Sequence, residues 1–126
     1  MTGEPARYWR EVIRRDYPRF EGDELAFQRH IRELHRAEPA GVGKFVLSVA
    51  LLTYGDLSAL DDILDNLPAV AGHPARILAR AVDALLPPAA GDTLADPDAV
   101  RAWVHHRRDR LVWSEERGGF ELRPPP

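Results

Sequence analysis

Residues Phe45 to Leu67 read FVLSVALLTYGDLSALDDILDNL, and this stretch decides the fold. Phe45, Val46, Leu47, Val49, Ala50, Leu51, Leu52 and Tyr54 are apolar nearly all round a helix, which implies burial on several sides. Gly55-Asp56 breaks the run. Gly55 can adopt a left-handed helix end without a Cβ clash, and the Asp56 carboxylate can cap the free N–H groups of a following helix. That second helix is one-sided. Leu57, Leu60, Ile63, Leu64 and Leu67 form one stripe, with Asp61, Asp62 and Asp65 roughly opposite. A buried helix, a corner of about one or two residues and an amphipathic helix make an αα-hairpin.

Leu51-Leu52-Thr53-Tyr54-Gly55-Asp56, followed by Ala59-Leu60 and Ile63-Leu64, resembles the A-L-x-x-L-G-D-x-x-A-L-x-x-L core of HEAT and PBS-lyase-type helical repeats. In that family the Gly-Asp corner joins the two helices of a repeat. The resemblance covers about one repeat, residues 45–67, and implies a fold more than an activity. Two positions depart from the pattern. Tyr54 before the glycine implies a bulkier corner, and Asp61, where proline is common, a less sharply defined helix start. The expected architecture is all-α: a short stack of antiparallel, HEAT-like helical hairpins, about six helices, with a small C-terminal β-hairpin or extended tail.

A chain of 126 residues suits one domain and can bury a real core. Its net charge of −3 is too near neutral to advertise a nucleic-acid or membrane partner. Lys44 is the one lysine; every other basic residue apart from histidine is arginine, a pattern of high-GC coding or of Arg recognition. The absence of cysteine excludes disulfides and thiolate metal sites and fits a reducing compartment. The N-terminal MTGEPARYWREVIRR carries early charges and no apolar signal core. The longest apolar run stops at Gly55-Asp56, too short to span a bilayer. These features point to a cytoplasmic, bacterial protein.

Taken in order, a first helix should start near Glu4-Pro5 after a frayed Met1–Gly3, and stop at Pro18. Trp9, Val12, Ile13 and Tyr17 would form its apolar stripe, with Arg7, Arg10, Arg14 and Arg15 on the other faces. Phe20 should tuck under the short connection that follows. Asp23 can cap a second helix reaching about Glu38, with Phe27, Ile31 and Leu34 inward. Pro39 and Gly41 mark the next corner. His73-Pro74 opens a fifth helix in which Ile77, Leu78, Ala81, Val82, Leu85 and Leu86 keep helical period. Arg76, Arg80 and Asp83 read as its solvated side. Ala89–Ala95 reads as a flexible connection, and Asp96-Pro97 as an N-cap with an N1 proline. Helix six carries Val100, Trp103 and Val104 inward. Leu111-Val112-Trp113 and Phe120-Glu121-Leu122 should pair as a hairpin, with Trp113 or Phe120 packed on the helices. Pro124–Pro126 should be disordered.

Several groups carry chemical interest. Asp61-Asp62-x-x-Asp65 matches the aspartate-rich string of terpenoid synthases, which implies Mg²⁺ and diphosphate binding. The chain is too short for that fold and has no second metal motif, so the carboxylates read as a polar helix side. His105 and His106 are adjacent and point about 100° apart on a helix. Asp109 offers His106 a carboxylate partner. His30 and His35 lie about 140° apart, a poor geometry for a shared ligand. Arg101, Arg107, Arg108 and Arg110 cluster near Trp103 and Trp113, a combination suited to a solvated helix end, a protein interface or a phosphate backbone. Ser48 should be buried and bonded to a backbone carbonyl. Gly41-Val42-Gly43-Lys44 is too short for a phosphate loop.

The expectation is a non-enzymatic protein-binding module, such as an adaptor, immunity or accessory protein, with no cofactor or metal. Its candidate contact residues are Asp61, Asp62, Asp65, Arg101, Arg107, Arg108 and Trp113. The alternative is a nucleic-acid-binding accessory protein using the C-terminal Arg/Trp cluster.

Overall fold

A computed structural model describes residues 4–15, 22–70 and 72–125. Among these residues the chain is mostly helical, with six α-helices and a two-stranded antiparallel hairpin. The helices are α1 (Glu4–Arg14), α2 (Glu24–Ala37), α3 (Val42–Leu52), α4 (Ala59–Asn66), α5 (Gly72–Leu85) and α6 (Pro97–His106). The strands are β1 (Leu111–Ser114) and β2 (Gly119–Leu122). Short 3₁₀ turns follow α4, α5 and α6. Expectations for Met1–Gly3, Tyr17, Pro18, Phe20 and Pro126 lie outside the described residues. None of the helices, among the described residues, is long and apolar enough to cross a membrane.

The core is built round α3. Phe45 and every residue from Leu47 to Leu52 are buried, so a helix without a polar stripe is covered on several sides. It packs most extensively on α4 and α2, and also touches α1 and α5. Phe27 and Ile31 of α2, Ile63 of α4 and Val82 and Leu85 of α5 are all fully buried. Each such side chain contributes about 1.5–3 kcal/mol of transfer free energy. Asp23 caps α2 by accepting from the Ala26 N–H at 3.0 Å, and Asp96 caps α6 by accepting from Ala99 at 3.0 Å. Both helix starts were legible as Asp before a helical pattern.

The break after α3 falls at Gly55, as expected, but the corner is longer than one or two residues. It occupies Thr53–Ser58, and Leu57 belongs to it instead of to α4. Gly55 has φ +87°. Its N–H reaches Leu52 O at 3.0 Å while the Asp56 N–H reaches Leu51 O at 3.2 Å, a Schellman closure. The chain then needs a further tight turn before α4. Asp56 serves that turn: its Oδ1 accepts from the Ser58 N–H at 3.2 Å, ahead of the helix, and its Oδ2 from Arg32 at 3.0 Å.

Two further segments differ from expectation. Arg10 and Arg14, placed away from the apolar stripe of α1, are nonetheless largely covered: 14% and 18% of their side chains are exposed. Arg10 sits in the corner after α3. Its Nε and Nη2 both donate to Thr53 O, at 2.9 and 2.6 Å, and its guanidinium lies 4.3 Å from the centre of the Tyr54 ring. It also pairs with Glu115 of the hairpin turn at 2.6 Å. Residues 89–95 are pinned rather than flexible. Asp83 Oδ1 accepts from the Thr93 N–H at 3.0 Å and from the Thr93 hydroxyl at 2.6 Å, and Thr93 is fully buried. Asp83 is therefore a structural acceptor, not a solvated residue.

The hairpin register pairs Leu111 with Leu122 and Trp113 with Phe120. Phe120 is buried, and Trp113 meets it edge-on at 5.1 Å while covering Gly55. A Cβ on Gly119 would come within 3.0 Å of Leu85 O, so the hairpin lies directly against the end of α5. Gly118 O accepts from the Ala6 N–H of α1 at 3.2 Å. The first helix and the last hairpin thus hold each other.

Candidate functional site

The acidic side of α4 does not stand free. Asp61 and Asp65 are one turn apart, and so are Arg101 and His105 on α6, which packs beside them. Arg101 Nη1 donates to Asp61 at 2.7 Å and Nη2 to Asp65 at 2.6 Å. His105 Nε2 lies 3.2 Å from the same Asp61 oxygen. The histidine–carboxylate pair is therefore His105 with Asp61, where sequence spacing favoured His106 with Asp109. Adjacent histidines diverge on a helix, and only the first faces α4. Partial burial alone raises the Asp61 pKa, but the His105 and Arg101 contacts outweigh it and hold the carboxyl below its ordinary value. Two candidate contact groups of opposite sign are thus each other's partners. Individually such exposed pairs contribute about 0.2–1 kcal/mol.

Asp62 points elsewhere, towards α2. Its Oδ2 lies 3.2 Å from His35 Nε2, and the same nitrogen lies 3.0 Å from Ser48 Oγ. Ser, His and Asp are together, yet not in the geometry of a nucleophilic triad. There the base receives the serine proton on one ring nitrogen and is oriented through the other. Here both partners share Nε2. Ser48 is also fully buried and donates its hydroxyl to Lys44 O at 2.7 Å, as its sequence context implied. The cluster knits α2, α3 and α4 together. Burial pushes the His35 pKa down, Lys44 adds to this, and Asp62 and Asp56 oppose it. Among the described residues no group of three His, Cys, Asp or Glu side chains is arranged to hold a metal ion.

The C-terminal basic residues form a different arrangement. Arg107 and Arg108 leave α6, and Arg110 leads into β1. The hairpin register then returns Arg123 beside Arg110, with the Arg123 N–H donating to Arg110 O at 2.8 Å. Arg123 was missed by local spacing, but extending the Leu111–Leu122 pairing by one residue finds it. None of these four arginines forms an ion pair with a carboxylate among the described residues, in contrast to Arg101. Arg107 lies over the Trp103 ring at 4.6 Å and donates to Trp103 O at 3.2 Å. Trp113 is engaged elsewhere: it sits on Gly55 and Phe120, and its indole N–H donates to Glu115 at 2.6 Å. Both tryptophans near the basic cluster therefore already have occupied faces or edges.

Comparison with protein-family models, with curated proteins and with solved structures finds no match to this chain.

Proposed function

We propose that the chain is a protein-interaction module that holds an acidic segment of a partner protein against its C-terminal basic end. The observation carrying this reading is the set Arg107, Arg108, Arg110 and Arg123, four guanidinium groups on one helix end and one hairpin base without carboxylate partners among the described residues. Arginine suits the task, because its planar fork binds carboxylates in bidentate fashion and loses little entropy per bond. The helical body, with HEAT-like hairpin stacking, would serve as the rigid support. Asp61 and Asp65 contribute less than the sequence suggests, since Arg101 already bonds both.

A nucleic-acid partner fits the same charges less well. Single-strand binding relies on aromatic faces that bases stack on. Arg107 covers Trp103, and Trp113 is turned to the α3–α4 corner. The net charge of −3 also opposes long-range attraction to a polyanion.

The test is affinity capture with the native chain and with an Arg107→Ala, Arg108→Ala, Arg123→Ala triple variant, then titration of the purified captured protein. Binding at least about tenfold weaker for the variant supports the reading. Equal binding by the two chains sinks it. Tight, strongly salt-dependent binding of a single-stranded oligonucleotide, lost in the variant, would transfer the site to nucleic acid.

A further inference from the structure

A cleft of about 180 Å³ opens between α2, the α3–α4 corner and α4, away from the C-terminal arginines. Arg32, His35 and Arg36 line one side of it and Asp56, Ser58 and Asp62 the other. Leu51 and Ala59, both buried, form its apolar floor. The volume lies below the roughly 300–1,000 Å³ of sites for larger organic ligands and suits a small molecule.

The charges in the cleft are not equally satisfied. Arg32 and Asp56 answer each other at 3.0 Å, and the Ser58 hydroxyl also donates to Asp56. Lys44 is drawn aside to His35 O. Two charges of opposite sign remain. Arg36 has no carboxylate partner among the described residues, and Asp62 has only His35. Burial favours the neutral form of that imidazole, which leaves Asp62 without full countercharge. One open guanidinium and one open carboxylate bordering a small cleft with an apolar floor match a zwitterion.

We propose that this cleft binds a free α-amino acid with a small apolar side chain. Its carboxylate would meet Arg36, its ammonium group Asp62, and its side chain the Leu51–Ala59 floor. Each exposed pair is weak by itself, and two pairs made by one small molecule add selectivity.

NMR titration of the ¹⁵N-labelled chain tests this with three probes: L-alanine, acetate and methylamine. L-alanine should shift the Arg36, Ser58 and Asp62 amides saturably, with a Kd of roughly 1 mM for so few ligand atoms. Acetate and methylamine, each carrying one of the two charges, should bind at least about tenfold more weakly. Arg36→Ala and Asp62→Asn should each weaken L-alanine at least about tenfold while keeping the native amide spectrum. The proposal is overturned if L-alanine shows no saturation by about 20 mM, well above that Kd. It is equally overturned if acetate binds as well as L-alanine, or if neither substitution changes the affinity. The C-terminal arginines take no part in these outcomes, so they leave the interaction surface independently testable.

Discussion

Replacing Arg10 by alanine should cost far more stability than a surface arginine normally does. Its Nε and Nη2 supply two hydrogen bonds to Thr53 O, and Thr53 is fully buried. Alanine would strand that carbonyl, a loss of about 1–3 kcal/mol. The guanidinium 4.3 Å above Tyr54 adds about 0.5–2 kcal/mol. The pair with Glu115, whose side chain is 65% exposed, adds about 0.2–1 kcal/mol at most. The total is about 3 kcal/mol, which for a domain of this size lowers Tm by roughly 10–15 °C. Urea unfolding followed by tryptophan fluorescence and circular dichroism gives the value directly, with an unchanged slope if only the native state is affected. Glu115→Ala should cost less than about 1 kcal/mol, because it removes only the exposed arm. Arg10→Lys should fall between them, since an ammonium group cannot reproduce the planar fork. If Arg10→Ala and Glu115→Ala prove equally mild, the buried carbonyl is not what Arg10 secures.

Other outcomes follow from the same structure. Gly55→Ala should destabilise by about 2–4 kcal/mol in thermal melts, combining φ +87° with a Cβ placed 2.7 Å from the Trp113 ring; Gly91→Ala, at φ +102° with only ordinary contact to Val100, should cost about 1 kcal/mol. Asp83→Ala should cost about 2 kcal/mol and speed amide exchange at Thr93, Leu94 and Ala95, because buried Thr93 loses both its bonds to that carboxylate. His35 has a folded pKa below 6.5, so the unfolded chain takes up the proton first as pH falls. The stability it contributes is present above 6.5 and declines as pH drops through the folded value; denaturation midpoints across that range should change less in a His35→Asn variant. Asp61 and Glu115 follow the acid version of the same rule. Arg10 holds Glu115 below 4.5 against the effect of its burial, with the Trp113 N–H assisting. Their contributions should persist above the unfolded values and fade as pH falls through the depressed ones, seen as a shallower acid transition in Glu115→Gln.

Much of the fold was legible because it is written locally. The apolar run of α3, the stripe of α4, the Asp23 and Asp96 caps and the Leu111–Leu122 hairpin all depend on residues a few places apart. Gly55 announced a helix end because no other residue takes its backbone angles cheaply. The corner's length was less visible, since the Schellman closure and the Asp56 turn are two devices in sequence. The polar contacts were least legible. Arg10 meets Glu115 across 105 positions and Arg101 meets Asp61 across 40, and nothing in the spacing of charges announces such encounters. An arginine on an amphipathic helix is ordinarily solvated, so Arg10 turning inward had no local sign. The candidate surface shifted for the same reason: folding pairs Asp61 and Asp65 with Arg101, and strand pairing adds Arg123 to the basic end.

The bond from the Ala6 N–H to Gly118 O has a consequence for how the protein is made. α1 is synthesised long before the hairpin that accepts its Ala6 N–H. Until the hairpin arrives, α1 can dock on α3 and α5 but lacks its bond to Gly118 O and the Arg10–Glu115 pair. The final closure of α1 is then a late event, and such non-local closure slows folding. Translation-arrested chains that stop before Gly118 should be cleaved by protease within α1 faster than chains that carry the hairpin.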